Sequence, residues 1–297
     1  MNTPTLSWQD AVARFLERRR LTGRALSTLR NDRKSLHRLG AFLDSKPPAE
    51  VTKDDLERFL QHLTGRVKRA TARLYLFNAR VFFRSLAEEH EILLNPAESF
   101  EPPRRTPAPF GRVLTKDEVE RLLDSIDVFW PVGVRDRAML EVLYATGLRA
   151  FELRRVKLDE IDLDAKTLAV RLGKGAKDRV VPLTGAAVTW LRRYVADVRP
   201  RFVKRRPAVE ELFVSRWGRP FSQGVLDHYV AKKLGVTSHV LRRSMATHLL
   251  QGGASPSAVA GILGHSGLRT LHRYVAIAGV EVKAAHGRSH PREADRD

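Results

Sequence analysis

Apolar residues recur three and four positions apart in four early stretches: Trp8, Val12, Phe15 and Leu16; Leu29, Leu36, Leu39 and Leu43; Leu56, Phe59, Leu60 and Leu63; and Tyr75, Ala79, Phe82, Phe83 and Leu86. This spacing puts each set on one face of a helix, so the region reads as a small all-helical bundle. Thr52 followed by Asp55 is a capping pair that predicts a helix start, and Asn95-Pro96 is expected to close the last helix. From Glu101 to Arg112 the stretch EPPRRTPAPFGR holds four prolines, which withhold backbone donors and bar a helix from continuing. It is the expected linker.

A second capping pair, Thr115 and Glu118, precedes Val119, Leu122, Leu123 and Ile126 on one helical face. Helical spacing dominates the rest, with one exception. Between Thr167 and Leu183, alternating Leu168, Val170 and Leu172 lead into GKGAKD and then RVVPL, the pattern of a β-hairpin. Helical patterns resume near Thr184, Ser222 and His239, and another opens at Ser255-Pro256 and stops at Gly264. No internal repeat is present. The expected class is mainly α with a small β-sheet or hairpin in the second domain. The expected boundaries are a helical domain over 1–100, the linker over 101–112, a second domain over 113–290 and a polar tail over 291–297.

Charge changes this picture from architecture to partner. The 297 residues carry 53 Lys and Arg against 34 Asp and Glu, a formal +19. The excess is spread over both parts, +7 up to Thr106 and +12 beyond it, as suits a body that surrounds a polyanion rather than a neutral domain with one basic tail. An Arg-rich proteome or a ribosome-associated protein is the plainer reading of charge taken alone. With no cysteine, disulfides and thiolate zinc sites are excluded. Met1 to Asp10 lacks the basic and apolar regions of a secretion signal, and no run approaches the ~18 apolar residues of a membrane span. A cytoplasmic protein without membrane attachment is expected.

Walker phosphate loops, His-Glu-x-x-His and Gly-x-Ser-x-Gly are all missing from the sequence, which removes the commonest ATPase, metalloprotease and hydrolase readings. What the chain offers is an ordered series of cations and one phenol: ATGLRAFEL around Arg149, GKGAKDR around Lys174, HVLR from His239 to Arg242, LGHS at His265 and RY at Tyr274. Each has a bland alternative. Arg149 and Glu152 stand at the spacing of a surface ion pair; Lys174 at a hairpin tip is usually solvated, and Lys177 and Arg179 equally suit plain phosphate binding. His239 and Arg242 share a helical face in a chain where basic residues cluster easily, and a lone Tyr is usually core or interface. Together they match attack on a phosphodiester. Two arginines and two histidines neutralise a pentacoordinate phosphorane, a Lys protonates the departing sugar oxygen, and a Tyr attacks in line.

In these segments the sequence resembles the tyrosine recombinases, most closely the Xer-type chromosome-dimer resolvases and their relatives among phage and plasmid integrases. ATGLRAFEL matches the first-arginine segment, GKGAKDRVVPL the hairpin-lysine segment, HVLRRSMATHLL the His-x-x-Arg helix and LGHSGLRTLHRY the final segment. The likeness extends to the N-terminal four-helix pattern, the proline linker and the closing HGRSHPR. Leu271 departs from relatives that carry a second Thr after Thr270, and the tail after Pro291 also departs.

The resemblance implies a SAM-like four-helix core-binding domain joined to a catalytic domain, together clamping DNA. It implies that Arg149, Arg242 and His265 hold the phosphate, Lys174 acts as general acid, His239 assists as acid or base, and Tyr274 is the nucleophile. A 3′-phosphotyrosine and a free 5′-hydroxyl would form, exchange would pass through a Holliday junction, and no ATP, metal or other cofactor would be needed. The implied partners are a double-stranded recombination site and a homo- or hetero-tetramer on two such sites. A paralogous Xer protein and a septal DNA translocase are further partners the resemblance leaves open. Alternatives at this point are a prophage or mobile-element integrase with the same chemistry, a noncatalytic architectural DNA-binding protein, and a type IB topoisomerase.

Overall fold

In the computed structural model, the residues described are 6–100, 111–171, 178–222 and 224–264. The chain divides into two compact units, Met1–Ala108 and Pro109–Asp297.

The first unit contains α1 (Trp8–Leu21), α2 (Leu26–Phe42), α3 (Lys53–Leu63) and α4 (Arg69–Glu88), with a short 3₁₀ turn at Pro48–Glu50. The apolar stripes read from the sequence meet in one core, where Trp8, Phe15, Phe82 and Phe83 form an aromatic cluster with ring centroids 5.2–6.2 Å apart. The capping pair is real: Thr52 accepts from the Asp55 backbone N–H while the Asp55 carboxylate accepts from that of Thr52. The end of α4 falls earlier than Asn95-Pro96 suggests. His90 takes a left-handed φ of 57°, and the Glu91 N–H folds back to the Leu86 carbonyl at 2.8 Å, so the backbone itself caps the helix and proline is not required to stop it.

The second unit is organised around α6 (Pro131–Thr146), whose Val134, Ala138, Met139, Leu140, Val142 and Leu143 are all buried. A helix with buried residues on every side lies at the centre of a core. Before it comes α5 (Lys116–Asp124), opened by the Thr115–Glu118 capping box; after it come the one-turn helix α7 (Ala150–Leu153) and three strands, β1 (Ile161–Asp162), β2 (Thr167–Val170) and β3 (Arg179–Pro182). The strands form an antiparallel sheet in chain order, with Leu168 opposite Val181 and Val170 opposite Arg179. The hairpin is the one the alternation predicts. The added strand, β1, is too short at two residues for any periodicity to reveal it.

Helix α8 (Gly185–Arg193) runs through a π-helical turn at Tyr194–Val198 into α9 (Arg199–Val203), followed by α10 (Val225–Lys233), α11 (Ser238–Gln251) and α12 (Pro256–Leu263). Four charged or polar groups sit inside this core as one network. Arg135, 2% exposed, donates through Nε and Nη2 to Asp136 Oδ1 and through Nη1 to the Val214 carbonyl; Tyr229 donates to Asp136 Oδ2 at 2.7 Å. Burial, only partly offset by Arg135, holds the Asp136 carboxyl above its ordinary range. Among the described residues no helix is long and apolar enough to cross a membrane.

Candidate active site

The site starts from how α6 ends. Thr146 folds its hydroxyl back onto the Val142 carbonyl at 2.6 Å, and Gly147 takes φ +61° to cap the helix. A Cβ at Gly147 would stand 2.3 Å from Met245 Cε and 2.9 Å from Leu263 Cδ2. Glycine is needed here twice, for the left-handed backbone and for the close approach of α11 and α12.

Arg242, on α11, fills the space beside this turn. It is 3% exposed, and its guanidinium donates from Nη1 to the Gly147 carbonyl at 2.6 Å and from Nη2 to the Leu263 carbonyl at 2.7 Å. These two carbonyls belong to the C-terminal ends of α6 and α12, where helix carbonyls lack intrahelical donors and the helix dipole is negative. A permanently charged planar fork therefore satisfies two helix ends at once and is held without freedom to swing.

Arg149 lies two residues beyond Gly147, just ahead of α7, with a third of its side chain exposed. Its backbone N–H donates to Glu152 Oε2 at 2.7 Å, and its guanidinium stands 3.5 Å from Glu152 Oε1. Glu152 is itself buried and takes a shorter bond, 3.1 Å, from Arg179 Nη1. His239 opens α11 one turn before Arg242; it lies at the surface, yet its ring is held below the ordinary histidine range. The protein atoms packed around the ring are the first cause and the charge of Arg149 the second, Asp227 pulling the other way. Burial and the neighbouring positive charge thus both favour the neutral ring.

Three of the six residues singled out in the sequence, Arg149, His239 and Arg242, therefore converge at the junction of α6, α7, α11 and α12, although 90 residues of chain separate Arg149 from His239. Lys174, His265 and Tyr274 lie outside the described residues. Gly264, the residue before His265, sits against Arg179: a Cβ there would be 2.9 Å from Arg179 Nη1.

One reading changes. Arg179 is not a spare phosphate ligand. Its side chain is 9% exposed and is committed to Glu152 and, through Nε at 2.9 Å, to the Ile262 carbonyl. Sequence reasoning missed this role because the partner carboxylate lies 27 residues away on another element; an arginine opening a strand beside a glycine-rich hairpin looks the same in either case.

The part of the chain holding these segments, residues 112–279, matches the phage integrase family, and residues 12–91 match the N-terminal SAM-like domain of phage integrases. The chain is 35% identical to tyrosine recombinase XerC 2 of Ralstonia nicotianae, over 93% of this chain and 84% of that one. The chain belongs to the tyrosine recombinases. Tyrosine recombinase XerD of Pseudomonas putida is 38% identical over 78% of this chain and 81% of its own length. In fold, this recombinase is similar to the Tn1549 transposon integrase, solved in complex with a circular intermediate DNA, at a TM-score of 0.73 and 18% identity, covering 95% of this chain and 99% of that one. It is accordingly a site-specific tyrosine recombinase with an N-terminal SAM-like domain and a C-terminal integrase catalytic domain.

Proposed function

We propose that the chain cleaves and rejoins a specific double-stranded DNA site with Arg149, Lys174, His239, Arg242, His265 and Tyr274 as its catalytic groups. The observation that carries the reading is the convergence of two guanidiniums on the single Gly147 turn, Arg242 bonded to its carbonyl and Arg149 two residues further on. Such an arrangement suits a phosphate whose charge grows in the transition state, because both cations are in place before the reaction and need no reorganisation.

In this mechanism the Tyr274 phenol attacks phosphorus in line and gives its proton to His239, whose neutral ring is fit to receive it. The bond from phosphorus to the 5′ oxygen breaks, and that oxygen takes a proton from Lys174. Arg149, Arg242 and His265 hold the non-bridging oxygens throughout. One ester replaces another, so the bond energy is kept as a 3′-phosphotyrosine and the reverse attack by a 5′-hydroxyl reseals the strand. The biological setting that the Xer-type relatives favour is resolution of chromosome or plasmid dimers in the cytoplasm. Four protomers would act on two sites through a Holliday junction, with a paralogous partner or a septal translocase as regulators. Integration of a mobile element is the second reading, favoured by the fold likeness to a transposon integrase.

The test is incubation with a nicked suicide duplex carrying candidate resolution sites from the host, followed by denaturing gel electrophoresis. A protein-linked strand is expected for the natural chain and none for Tyr274→Phe, which should still shift the duplex in a native gel. DNA binding without any adduct from the natural chain, on every site tried, would point to an architectural protein instead.

A further inference from the structure

Helix α11 presents His239 and Arg242 near its start and carries a second set of residues one turn apart, Val240, Ser244 and His248. That second set holds the segment by which the chain enters the second unit. Ser244 is fully buried, and its hydroxyl accepts the Leu114 backbone N–H at 2.8 Å while donating to the Val240 carbonyl at 2.9 Å. His248, half-buried, meets the Tyr144 hydroxyl through Nδ1 at 2.7 Å and also hydrogen-bonds the Leu114 backbone. The Leu114 N–H is already given to Ser244, and the contact favours the protonated ring, so the partner of His248 is the Leu114 carbonyl.

Residues 111–115 belong to no helix or strand, and buried backbone groups in such a segment must find partners elsewhere. Both polar groups of Leu114 find them on α11, and its side chain, 5% exposed, joins the core of the second unit. Three residues earlier the chain meets α11 again, where a Cβ on Gly111 would stand 2.0 Å from Arg243 Nη1. The chain crosses from the first unit to the second just before this point, between Ala108 and Pro109. One hydroxyl therefore joins the incoming backbone to the carbonyl of Val240, the residue next to His239, through two hydrogen bonds in series that strengthen each other.

The two functional side chains of α11 differ in what holds them. Arg242 is pinned by the Gly147 and Leu263 carbonyls. Among the described residues nothing hydrogen-bonds the His239 ring, so its place depends on the backbone turn beneath it. We propose that Ser244 and His248 are positioning residues through which the seated segment 111–114 fixes the first turn of α11 and, with it, the His239 ring. This rests on the reading above in which His239 takes the Tyr274 proton. Such a base has to stand within about 2.6–3.2 Å of its proton donor, and misplacement by about 1 Å lowers a rate on the order of 100-fold.

The test uses the full chain and the nicked suicide duplex. At saturating protein, Ser244→Ala is expected to slow adduct formation by about 10- to 100-fold with duplex affinity unchanged, and Ser244→Thr, which keeps the hydroxyl, should recover most of the rate. His248→Leu and His248→Gln form a second pair with the same expected contrast, should position 244 tolerate no change. In a His239→Ala background, Ser244→Ala should slow the reaction no further, because nothing is left to position; a mere brace for the fold lowers the rate by the same factor in either background. Amide exchange in Ser244→Ala should rise at residues 113–115 and 239–243 and stay as it was in α4 and α8. An unchanged adduct rate in both Ser244→Ala and His248→Leu, an equal loss in the His239→Ala background, or exchange that rises throughout the second unit overturns the proposal. If the natural chain makes no adduct, or His239→Ala is as fast as the natural chain, the catalytic reading has failed instead. Exchange then decides the tie by itself: a rise confined to 113–115 and 239–243 keeps it, and a uniform rise or none removes it.

Discussion

In the proposed mechanism Arg149 serves only if it is held without being spent, and the residue positioned to arrange this is Arg179. Glu152 is buried, and a buried carboxylate demands compensation. Arg179 supplies it at 3.1 Å, leaving Arg149 at 3.5 Å with a third of its side chain exposed. With Arg179→Met, the carboxylate would draw Arg149 fully onto itself and away from a phosphate. Stability should drop by about 3–5 kcal/mol, the range for breaking a buried pair, and adduct formation by at least ~10-fold, which corresponds to about 1.4 kcal/mol of transition-state stabilisation. Adding Glu152→Gln to Arg179→Met removes the uncompensated charge and should restore part of the adduct rate. A simple packing role for Arg179 predicts no such rescue, so single-turnover rates of the natural chain and the two variants decide between them.

At the scale of elements, close approach of helices is set by glycines at contact points. Gly40 on α2 faces the indole of Trp8 on α1, where an added Cβ would lie 2.2–2.8 Å from ring atoms. Ala is the better helix former by up to ~1 kcal/mol, but the ring cannot step aside, being packed on Phe82 and Phe83. Overpacking costs of about 1–3 kcal/mol win, and Gly40→Ala is expected to lower stability by about 1–2 kcal/mol in urea unfolding followed by circular dichroism. An increase in stability would mean that the crossing is looser than the structure indicates. The same logic runs through the site, where Gly147 and Gly264, both left-handed at helix ends, leave their helices' terminal carbonyls open to Arg242.

For the whole molecule, acidification from neutral pH should destabilise through two histidines. His239 and His248 both lie below the ordinary histidine value of 6.5, each chiefly through burial. A depressed folded value means that the unfolded chain binds more protons once the pH falls below 6.5, so stability falls from neutral pH toward 5. Urea midpoints at pH 7.5 and 5.5 should differ in that direction, and His248→Gln, which keeps an acceptor for the Tyr144 hydroxyl, should shrink the difference; equal midpoints would refute the assignment. The four N-terminal helices, the capping pairs, the hairpin and the ordered series of cationic segments were legible along the chain, because periodicity, capping and turn chemistry act over a few residues; α6, which carries no single apolar stripe, was not. What lay beyond the sequence were relations between distant elements: the two helix ends joined by Arg242, the sharing of Glu152 between Arg149 and Arg179, and the two-residue strand β1. Local physics fixes which residues form each element, whereas the charge environment of a side chain depends on which elements lie beside it, and only the packed core decides that.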